Sequence, residues 1–245
     1  VEALKKEKIK YWFGALGSES ATVFYDALYD ASPDVITIQT RHSSSAPFMA
    51  LASSRISGNP CIAHGTSGPG LTNLVSGVAE AYSSCAPIII LVPSVNRKIE
   101  GKGVSHEVAG LTTFKDITKW SARIDLAEKI PWYLRMAFSI ACNSKPGPVY
   151  LEFPVDLAGE IPEYIPSFRP LRVRGDNEKI KQAITLLLKA EKPILVAGGG
   201  AILSKAFSEF QKLAEMLAIP IFTSPTGRGI ISENHPLAVG QVGMY

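Results

Sequence analysis

Short apolar segments rich in β-branched residues alternate with longer amphipathic segments along the first half of this sequence. The segments with the length and composition of buried strands are Val35 to Gln39, Pro60 to His64, Ile88 to Val92 and Val149 to Phe153. Between them, apolar residues recur at helical spacing in Ser18 to Tyr29, Ser44 to Ser57 and Leu71 to Ser84. This alternation predicts an α/β fold of three layers, in which helices cover both faces of a parallel sheet.

Prolines interrupt the alternation after the last of these strands. Pro154, Pro162, Pro166 and Pro170 mark a stretch that cannot continue as a helix or a central strand. We therefore predict a first domain over residues 1–157, a linker over residues 158–177 and part of a second α/β domain over residues 178–245.

The second domain is predicted to be Rossmann-like but incomplete. Its elements are a helix from Asn177 to Lys189, a strand from Pro193 to Ala197, a turn at Gly198-Gly199-Gly200, a helix from Ser204 to Leu217 and a strand from Pro220 to Thr223. A β-α-β unit with two strands leaves an apolar edge exposed. We therefore expect further chain, or another polypeptide, to complete it.

The composition argues against several classes of protein. The formal net charge is +3, and the basic residues are scattered among acids, which does not favour a nucleic-acid or membrane surface. The apolar runs are too short to span a bilayer and no leader opens the chain, so we expect a cytoplasmic protein. The three cysteines lack a Cys-x-x-Cys pattern and the four histidines are dispersed, so no metal site is expected.

Several motifs occur in an order that is more specific than any of them alone. In the first domain they are Phe13-Gly14-Ala15-Leu16-Gly17, Arg41-His42, Ser67-Gly68-Pro69-Gly70-Leu71-Thr72-Asn73, Ala81-Tyr82, Thr118-Lys119-Trp120 and the segment from Gly147 to Asp156. In the second they are Gly198-Gly199-Gly200, Thr226-Gly227-Arg228-Gly229 and Asn234-His235-Pro236-Leu237. This ordered set resembles the pyrimidine-binding domain and the start of the central domain of thiamine diphosphate (ThDP) enzymes of the acetolactate synthase type.

The resemblance implies a carbon-carbon lyase or carboligase that acts on 2-oxo acids with ThDP and Mg²⁺. In that family the pyrimidine half of the site and the diphosphate half come from different subunits, and the diphosphate half carries a Gly-Asp-Gly motif followed by Asn, which is absent here. A diphosphate needs a divalent cation to offset its charge. The resemblance thus implies a partner subunit or a remainder of the chain that holds the metal, within a homodimer or a hetero-oligomer.

Ser43 departs from the family pattern, because the family has an acid directly after Arg-His. That acid hydrogen-bonds the pyrimidine N1′ and favours the imino tautomer that deprotonates C2 of the cofactor. A hydroxyl can form the hydrogen bond but cannot exchange a proton at an accessible pKa, so activation should be slower by about 10² to 10⁴-fold. Ser43 is either a slow or differently tuned activator, or a relic or introduced position in a protein that no longer catalyses. The latter would be a non-catalytic binding or assembly subunit.

Other site residues follow from the resemblance. Gly17, Pro69, Gly70 and Asn73 would line the pyrimidine pocket, although a Gly-Pro-Gly segment is also an ordinary turn. His106 lies where the family often has Gln, near the substrate. It could act as an acid or base, or be a loop histidine beside Glu107.

The remaining candidates are weaker. In some branches of the family the central domain binds FAD or ADP, which would place Gly199, Gly200 and Thr226 at a diphosphate. Lys119 could face an anionic substrate, although solvent or a domain contact is the preferred interpretation. A third interpretation, an unrelated Rossmann-like nucleotide-binding protein, lacks a Gly-x-Gly-x-x-Gly motif after the first strand.

Overall fold

The computed structural model describes residues 1–17, 19–157, 161–167 and 173–243. The chain divides into two compact units, Val1–Pro170 and Leu171–Tyr245. Part of the predicted linker, residues 158–160 and 168–172, lies outside the described residues, as do Ser18 and the last two residues. The domain boundaries therefore stay a prediction.

The first unit is built on a six-stranded parallel sheet in the order β2-β1-β3-β4-β6-β5. Its strands are β1 (Tyr11–Gly14), β2 (Ile36–Gln39), β3 (Cys61–His64), β4 (Ile88–Ser94), β5 (Trp120–Arg123) and β6 (Val149–Pro154). The central strands β3, β4 and β6 are buried along almost their whole length. Near-continuous apolar strands of this kind need helices on both faces of the sheet.

Helices cover both faces, and the α/β prediction is confirmed. They are α1 (Glu2–Lys6), α2 (Glu19–Asp30), α3 (Ser45–Ser57), α4 (Pro69–Thr72), α5 (Val75–Ser83), α6 (Gly110–Phe114) and α7 (Ile130–Cys142). One apolar core joins Trp12 and Ile62 of the sheet to Leu28 of α2 and Phe138 of α7. The other joins the opposite face of the sheet to α3, α5 and α6.

Several predicted elements of the first unit differ in detail. Phe13 and Gly14, the first two residues of the motif that ends at Gly17, are the last two residues of β1, because they pair with Ile38 and Gln39 of β2. The helix predicted from Leu71 to Ser84 is two helices, α4 and α5. Strand β5 and helices α1, α6 and α7 were not predicted.

Lys119 is half-buried, and its ammonium group is bound by backbone carbonyl groups. Its Nζ donates hydrogen bonds to the carbonyl oxygens of Ile140 and Asn143, the latter at 2.8 Å, at the C-terminal end of α7. The last carbonyls of a helix have no partner within the helix and carry its negative dipole end, so an ammonium group is favourable there. The interpretation of the Lys119 ammonium group as facing solvent therefore does not hold, whereas a domain contact stays a prediction.

We expect Lys119→Met to lower the free energy of unfolding by about 1 to 2 kcal/mol, because two carbonyls lose a charged donor. Methionine keeps most of the aliphatic side chain, so the packing loss is small. Urea denaturation would measure the change. The matched control is Lys145→Met, at an exposed lysine nearby. Equal effects of the two substitutions would contradict the capping role.

His64, at the end of β3, is fully buried, as expected for a structural histidine. Its Nδ1 donates to the carbonyl oxygen of Leu91 at 2.8 Å when protonated on that nitrogen. Its Nε2 has no hydrogen-bond partner among the described residues. Burial lowers the pKa of His64 from 6.5 to about 4, because a buried imidazolium would lose its hydration.

Stability should therefore fall as the pH is lowered from about 6.5 to about 4. In this window the unfolded chain binds a proton at His64 that the folded chain does not, which costs about 3 kcal/mol in total. His64→Asn keeps a donor for Leu91 but does not titrate there, so it should flatten this part of the profile. Urea unfolding between pH 4 and 7 would measure it. The exposed His42→Asn is the control, and an unchanged slope in His64→Asn would refute the assignment.

The second unit contains a three-stranded parallel sheet in the order β7-β8-β9, formed by β7 (Leu195–Ala197), β8 (Ile221–Thr223) and β9 (Ala238–Gln241). Its helices are α8 (Asn177–Lys189), α9 (Gly199–Leu203) and α10 (Phe207–Leu217). The prediction of two strands was thus wrong by one strand. The predicted glycine turn is also different, because Gly198 precedes α9 and Gly199 and Gly200 form its first turn.

No helix within the described residues is both long and apolar enough to span a membrane.

Candidate cofactor site

The predicted site residues of the first unit converge on one edge of its sheet. Because all six strands are parallel, their carboxyl ends meet at the same edge. Gly17 follows β1, Ser43 follows β2, the turn from Ser67 to Pro69 follows β3, and His106 lies in the segment after β4. The fold therefore brings together residues that are almost 90 positions apart in the sequence.

This edge contains the topological switch point of the sheet. From β1 the chain first passes to β2 on one side, by way of α2, and then crosses back past β1 to β3 by way of α3. The loops after β1 and β3 consequently diverge to opposite faces and leave a crevice between them. Ligands of open α/β sheets bind in such crevices. The loops are adjacent here, because a Cβ added to Gly17 would lie 3.6 Å from Cγ2 of Thr66.

The Gly-Pro-Gly turn is more tightly constrained than an ordinary turn. Gly68 has φ +64°, and a Cβ at this position would lie 2.7 Å from Cα of His106. A Cβ on Gly70 would lie 2.2 Å from Oγ1 of Thr66. Only glycine allows this approach of the backbones, so the turn and the segment of His106 form one packed surface.

Pro69 and Asn73 are exposed on this surface. The backbone N–H of Asn73 donates to the carbonyl oxygen of Pro69 at 3.1 Å, so the two residues stand one helical turn apart on the same side of α4. Gly17 and Leu16 are also exposed, whereas Gly70 is buried and supports the turn from below. Together with the Gly-Pro-Gly turn, these exposed residues form an open surface of small and apolar groups, which we call the cradle.

Ser43 lies four residues after the end of β2, the strand next to β1, and is only 9% exposed. Its hydroxyl forms no hydrogen bond with another described residue, whereas its neighbour His42 bonds Ser44 Oγ at 2.7 Å. A nearly buried hydroxyl without a protein partner is a suitable donor or acceptor for a ring nitrogen. The position therefore fits an aminopyrimidine ring, but it does not supply a group that exchanges protons near neutral pH.

His106 is exposed and has φ +69°. Its ring has no hydrogen bond or ion pair within the described parts of the chain. The carboxylate of its neighbour Glu107 instead accepts from the backbone N–H groups of Gly101 and Val104, at 2.5 and 3.2 Å. The alternative interpretation, a loop histidine beside Glu107, is compatible with this exposed position, and a role for His106 as an acid or base stays a prediction.

A buried charged cluster that the sequence analysis missed lies further along the same edge. Tyr150 donates to Oε2 of Glu152 at 2.7 Å, and Glu152 is 6% exposed. Burial raises the pKa of the Glu152 carboxyl, and Arg123 opposes this rise. Two neighbouring signals could have revealed the cluster: the alternation Tyr150-Leu151-Glu152 in a strand, which puts an acid on a buried face, and Arg123 in the next strand.

The candidate residues for binding FAD or ADP lie in the second unit. A Cβ on Gly199 would lie 3.0 Å from Oγ1 of Thr226, so these two residues are in contact, whereas Gly200 has open space around it. Binding of FAD or ADP at these residues stays a prediction. Among the described residues, no group of three or more histidine, cysteine, aspartate or glutamate side chains could hold a metal ion.

Comparison with known proteins agrees with this geometry. Residues 1–113 match the family model of the thiamine pyrophosphate enzyme N-terminal TPP binding domain, and residues 180–245 match that of the thiamine pyrophosphate enzyme central domain. The chain belongs to the ThDP-dependent enzyme family of the acetolactate synthase type. The predicted family is therefore confirmed.

Relatives from distant organisms match over the whole chain. A probable acetolactate synthase large subunit of Methanocaldococcus jannaschii is 40% identical, with 100% of this chain and 42% of that protein covered. An acetolactate synthase of Arthrospira platensis is 32% identical, and the isozyme 2 large subunit of Escherichia coli is 30% identical, each with 100% of this chain and 44% of the relative covered. The chain thus spans less than half the length of these relatives.

Proposed function

We propose that this chain is the pyrimidine-binding portion of a ThDP-dependent lyase or carboligase that acts on 2-oxo acids. The observation that carries the proposal is the convergence of Gly17, Ser43, the Gly-Pro-Gly turn and His106 at the topological switch point of the parallel sheet. The names of the relatives, which are acetolactate synthases, support the reaction class.

Different residues of the cradle would make different contacts with the aminopyrimidine ring. Pro69 and Asn73 present an apolar edge and an amide on one side of α4, and the glycines of the turn allow the ring to approach the backbone. The Ser43 hydroxyl would hold N1′ through a hydrogen bond. When bound, ThDP supplies a carbon nucleophile that attacks the carbonyl of the 2-oxo acid.

His106 would serve the substrate side of the site. It is exposed, lacks a competing hydrogen-bond partner within the described residues, and is held against Gly68 by backbone packing. An imidazole near neutral pH can donate or accept a proton at Nε2 or Nδ1. We propose that it orients the carbonyl of the substrate and exchanges a proton with it.

The Mg²⁺ and the diphosphate would be held elsewhere. The described residues contain no cluster of metal ligands, and a diphosphate requires a divalent cation. We therefore propose that a diphosphate-binding domain, in a partner subunit or in the same polypeptide, completes the site within a homodimer or hetero-oligomer in the cytoplasm.

Isothermal titration of the intact protein with ThDP and Mg²⁺ tests the proposal. We expect saturable binding, and Asn73→Ala should weaken it by about tenfold, since a hydrogen bond and ring contacts are lost. Asn59→Ala, at an exposed asparagine in the loop after α3, is the matched control. Carbon dioxide release from pyruvate, the simplest 2-oxo acid probe, would report turnover. Absence of ThDP binding would reject the proposal.

A non-catalytic binding or assembly subunit is the second candidate, and the absence of an acid at Ser43 favours it. Titration with ThDP, the carbon dioxide assay and a measurement of the oligomeric mass together separate the two candidates. A catalytic protein binds ThDP and releases carbon dioxide from pyruvate, however slowly. A protein retained for assembly forms its oligomer without turnover, and its oligomeric mass is unaffected by ThDP.

A further inference from the structure

The pocket in which the proposed substrate would lie contains a buried acid that the proposed function does not yet use. Gly68 and His106 line this pocket of about 310 Å³ together with Glu152, which lies near the carboxyl end of β6. A volume at the lower end of the range for small-molecule sites suits a short 2-oxo acid. Such a substrate is an anion, so a charged Glu152 would oppose its binding.

One carboxyl oxygen of Glu152 is held by the protein and the other is not. Oε2 accepts from the hydroxyl of Tyr150 at 2.7 Å, whereas Oε1 lies 3.9 Å from NH1 of Arg123, which is too long for a hydrogen bond. A Cβ on Gly110, the first residue of α6, would collide with the Tyr150 hydroxyl and with Oε2. The pocket wall is thus packed closely around the pair of Tyr150 and Glu152, and Oε1 is left for a ligand.

The other charged groups around Glu152 already have partners. Arg123 binds both carboxylate oxygens of Glu100, and its Nε donates to Asp125 at 2.9 Å. The carboxylate of Glu107, also in the pocket wall, accepts from two backbone N–H groups. Among the described acids of this pocket, Glu152 alone accepts no hydrogen bond from an N–H group. Its charged form is therefore the least stabilised of the three.

Burial favours the neutral form of this carboxyl. It raises the pKa of Glu152, and the charges of Glu100 and Asp125 add to the rise, whereas the hydrogen bond from Tyr150 and the charge of Arg123 oppose it. A neutral carboxyl has one O–H donor and one carbonyl acceptor. Since Tyr150 donates to Oε2, the proton belongs on Oε1, where it can be donated to a ligand. A buried acid kept neutral in this way can bind an anion that its charged form would repel.

We propose that Glu152 is a substrate-binding residue, which in its protonated form donates a hydrogen bond from Oε1 to a carboxylate oxygen of the 2-oxo acid. This inference rests on the proposed function, from which it takes the class of substrate. Tyr150 orients the carboxyl by holding its other oxygen, and His106 is left for the carbonyl group of the substrate. A hydrogen bond to a charged acceptor is roughly twice as strong as one between neutral groups, so this contact would contribute substantially to substrate affinity.

Isothermal titration of the intact protein with pyruvate, between about pH 5 and pH 9 and without ThDP so that no turnover occurs, tests the inference. We expect the affinity to fall by about tenfold or more as the pH rises, because Glu152 changes from a donor into a repelling charge. Glu152→Gln has a carbonyl oxygen for Tyr150 and an amide N–H for the substrate, so it mimics the neutral acid. It should bind pyruvate as the unmodified protein does at pH 5, and about tenfold more tightly than that protein at pH 9. Any contribution of His106 to the profile remains in this variant.

Glu152→Met removes both the charge and the donor, and it should bind pyruvate about tenfold more weakly than Glu152→Gln at every pH. Glu163→Gln, at an exposed acid paired with Lys6, is the matched control and should keep the profile of the unmodified protein. Two results would overturn the inference without any variant: no pyruvate binding by the unmodified protein, or an affinity that does not fall as the pH rises.

Two further results, in variants whose folding is confirmed by circular dichroism, would also overturn it. One is the same pH profile in Glu152→Gln and the unmodified protein. The other is equal affinity of Glu152→Gln and Glu152→Met for pyruvate. ThDP binding is measured separately and decides on the proposed function, so the two failures can be told apart.

Discussion

Replacing Ser43 by glutamate is expected to raise the rate of carbon dioxide release from pyruvate by about 10² to 10⁴-fold in the intact protein. The hydroxyl of Ser43 can only hold a ring nitrogen through a hydrogen bond, whereas a carboxyl at the same position exchanges a proton with it. Ser43 is 9% exposed and has no hydrogen-bond partner among the described residues, so the new side chain displaces no existing bond. Steady-state kinetics at saturating ThDP and Mg²⁺ would measure the change.

Ser43→Gln is the matched control, because it has the same size and hydrogen-bonding reach as glutamate but no titratable proton. We expect Ser43→Gln to leave the rate within about tenfold of the unmodified protein. A similar gain in both variants would mean that size, and not acidity, limits the site. No gain in Ser43→Glu, with ThDP binding intact, would contradict the role assigned to this position and would favour the non-catalytic candidate.

The parallel sheet could be predicted from sequence because its central strands are apolar on both faces. Ile88 to Val92 is a run of five apolar residues after a predicted amphipathic helix, a pattern that favours a buried strand. Strand β5 was missed because it pairs only with β6 and contains Ser121 and Arg123, which give it no apolar run. Strand β9 was missed for a similar reason: it is mostly exposed and carries Gly240.

The candidate site could be predicted only in part, because motif order indicates which loops carry the candidate residues but not how closely these loops approach each other. Gly17, Ser43 and the Gly-Pro-Gly turn were identified as a set. The contact between Gly68 and His106 depends on a positive φ at both residues, which the local sequence does not specify. Lys119 illustrates the same limit, since its carbonyl partners are 21 and 24 residues away.

The packing of the Gly-Pro-Gly turn against His106 makes Gly68 the most sensitive position of the cradle. We expect Gly68→Ala to lower the free energy of unfolding by about 3 to 5 kcal/mol. Part of this loss comes from a positive φ that alanine adopts poorly, and part from a Cβ placed 2.7 Å from the backbone of His106. The collision involves backbone, so no side-chain rotation relieves it, and the two segments must separate. Urea denaturation would measure the loss.

Gly101→Ala is the control that measures the cost of a positive φ without a steric collision. Gly101 lies in the same segment as His106 and has φ +78°, but a Cβ there meets no atom within 4 Å. It should therefore cost only about 1 to 2 kcal/mol, the penalty of a positive φ. Gly68→Ala should in addition weaken ThDP binding, because His106 moves away from the turn, whereas Gly101→Ala should not. If the two substitutions cost the same stability, the contact between Gly68 and His106 does not hold the cradle together.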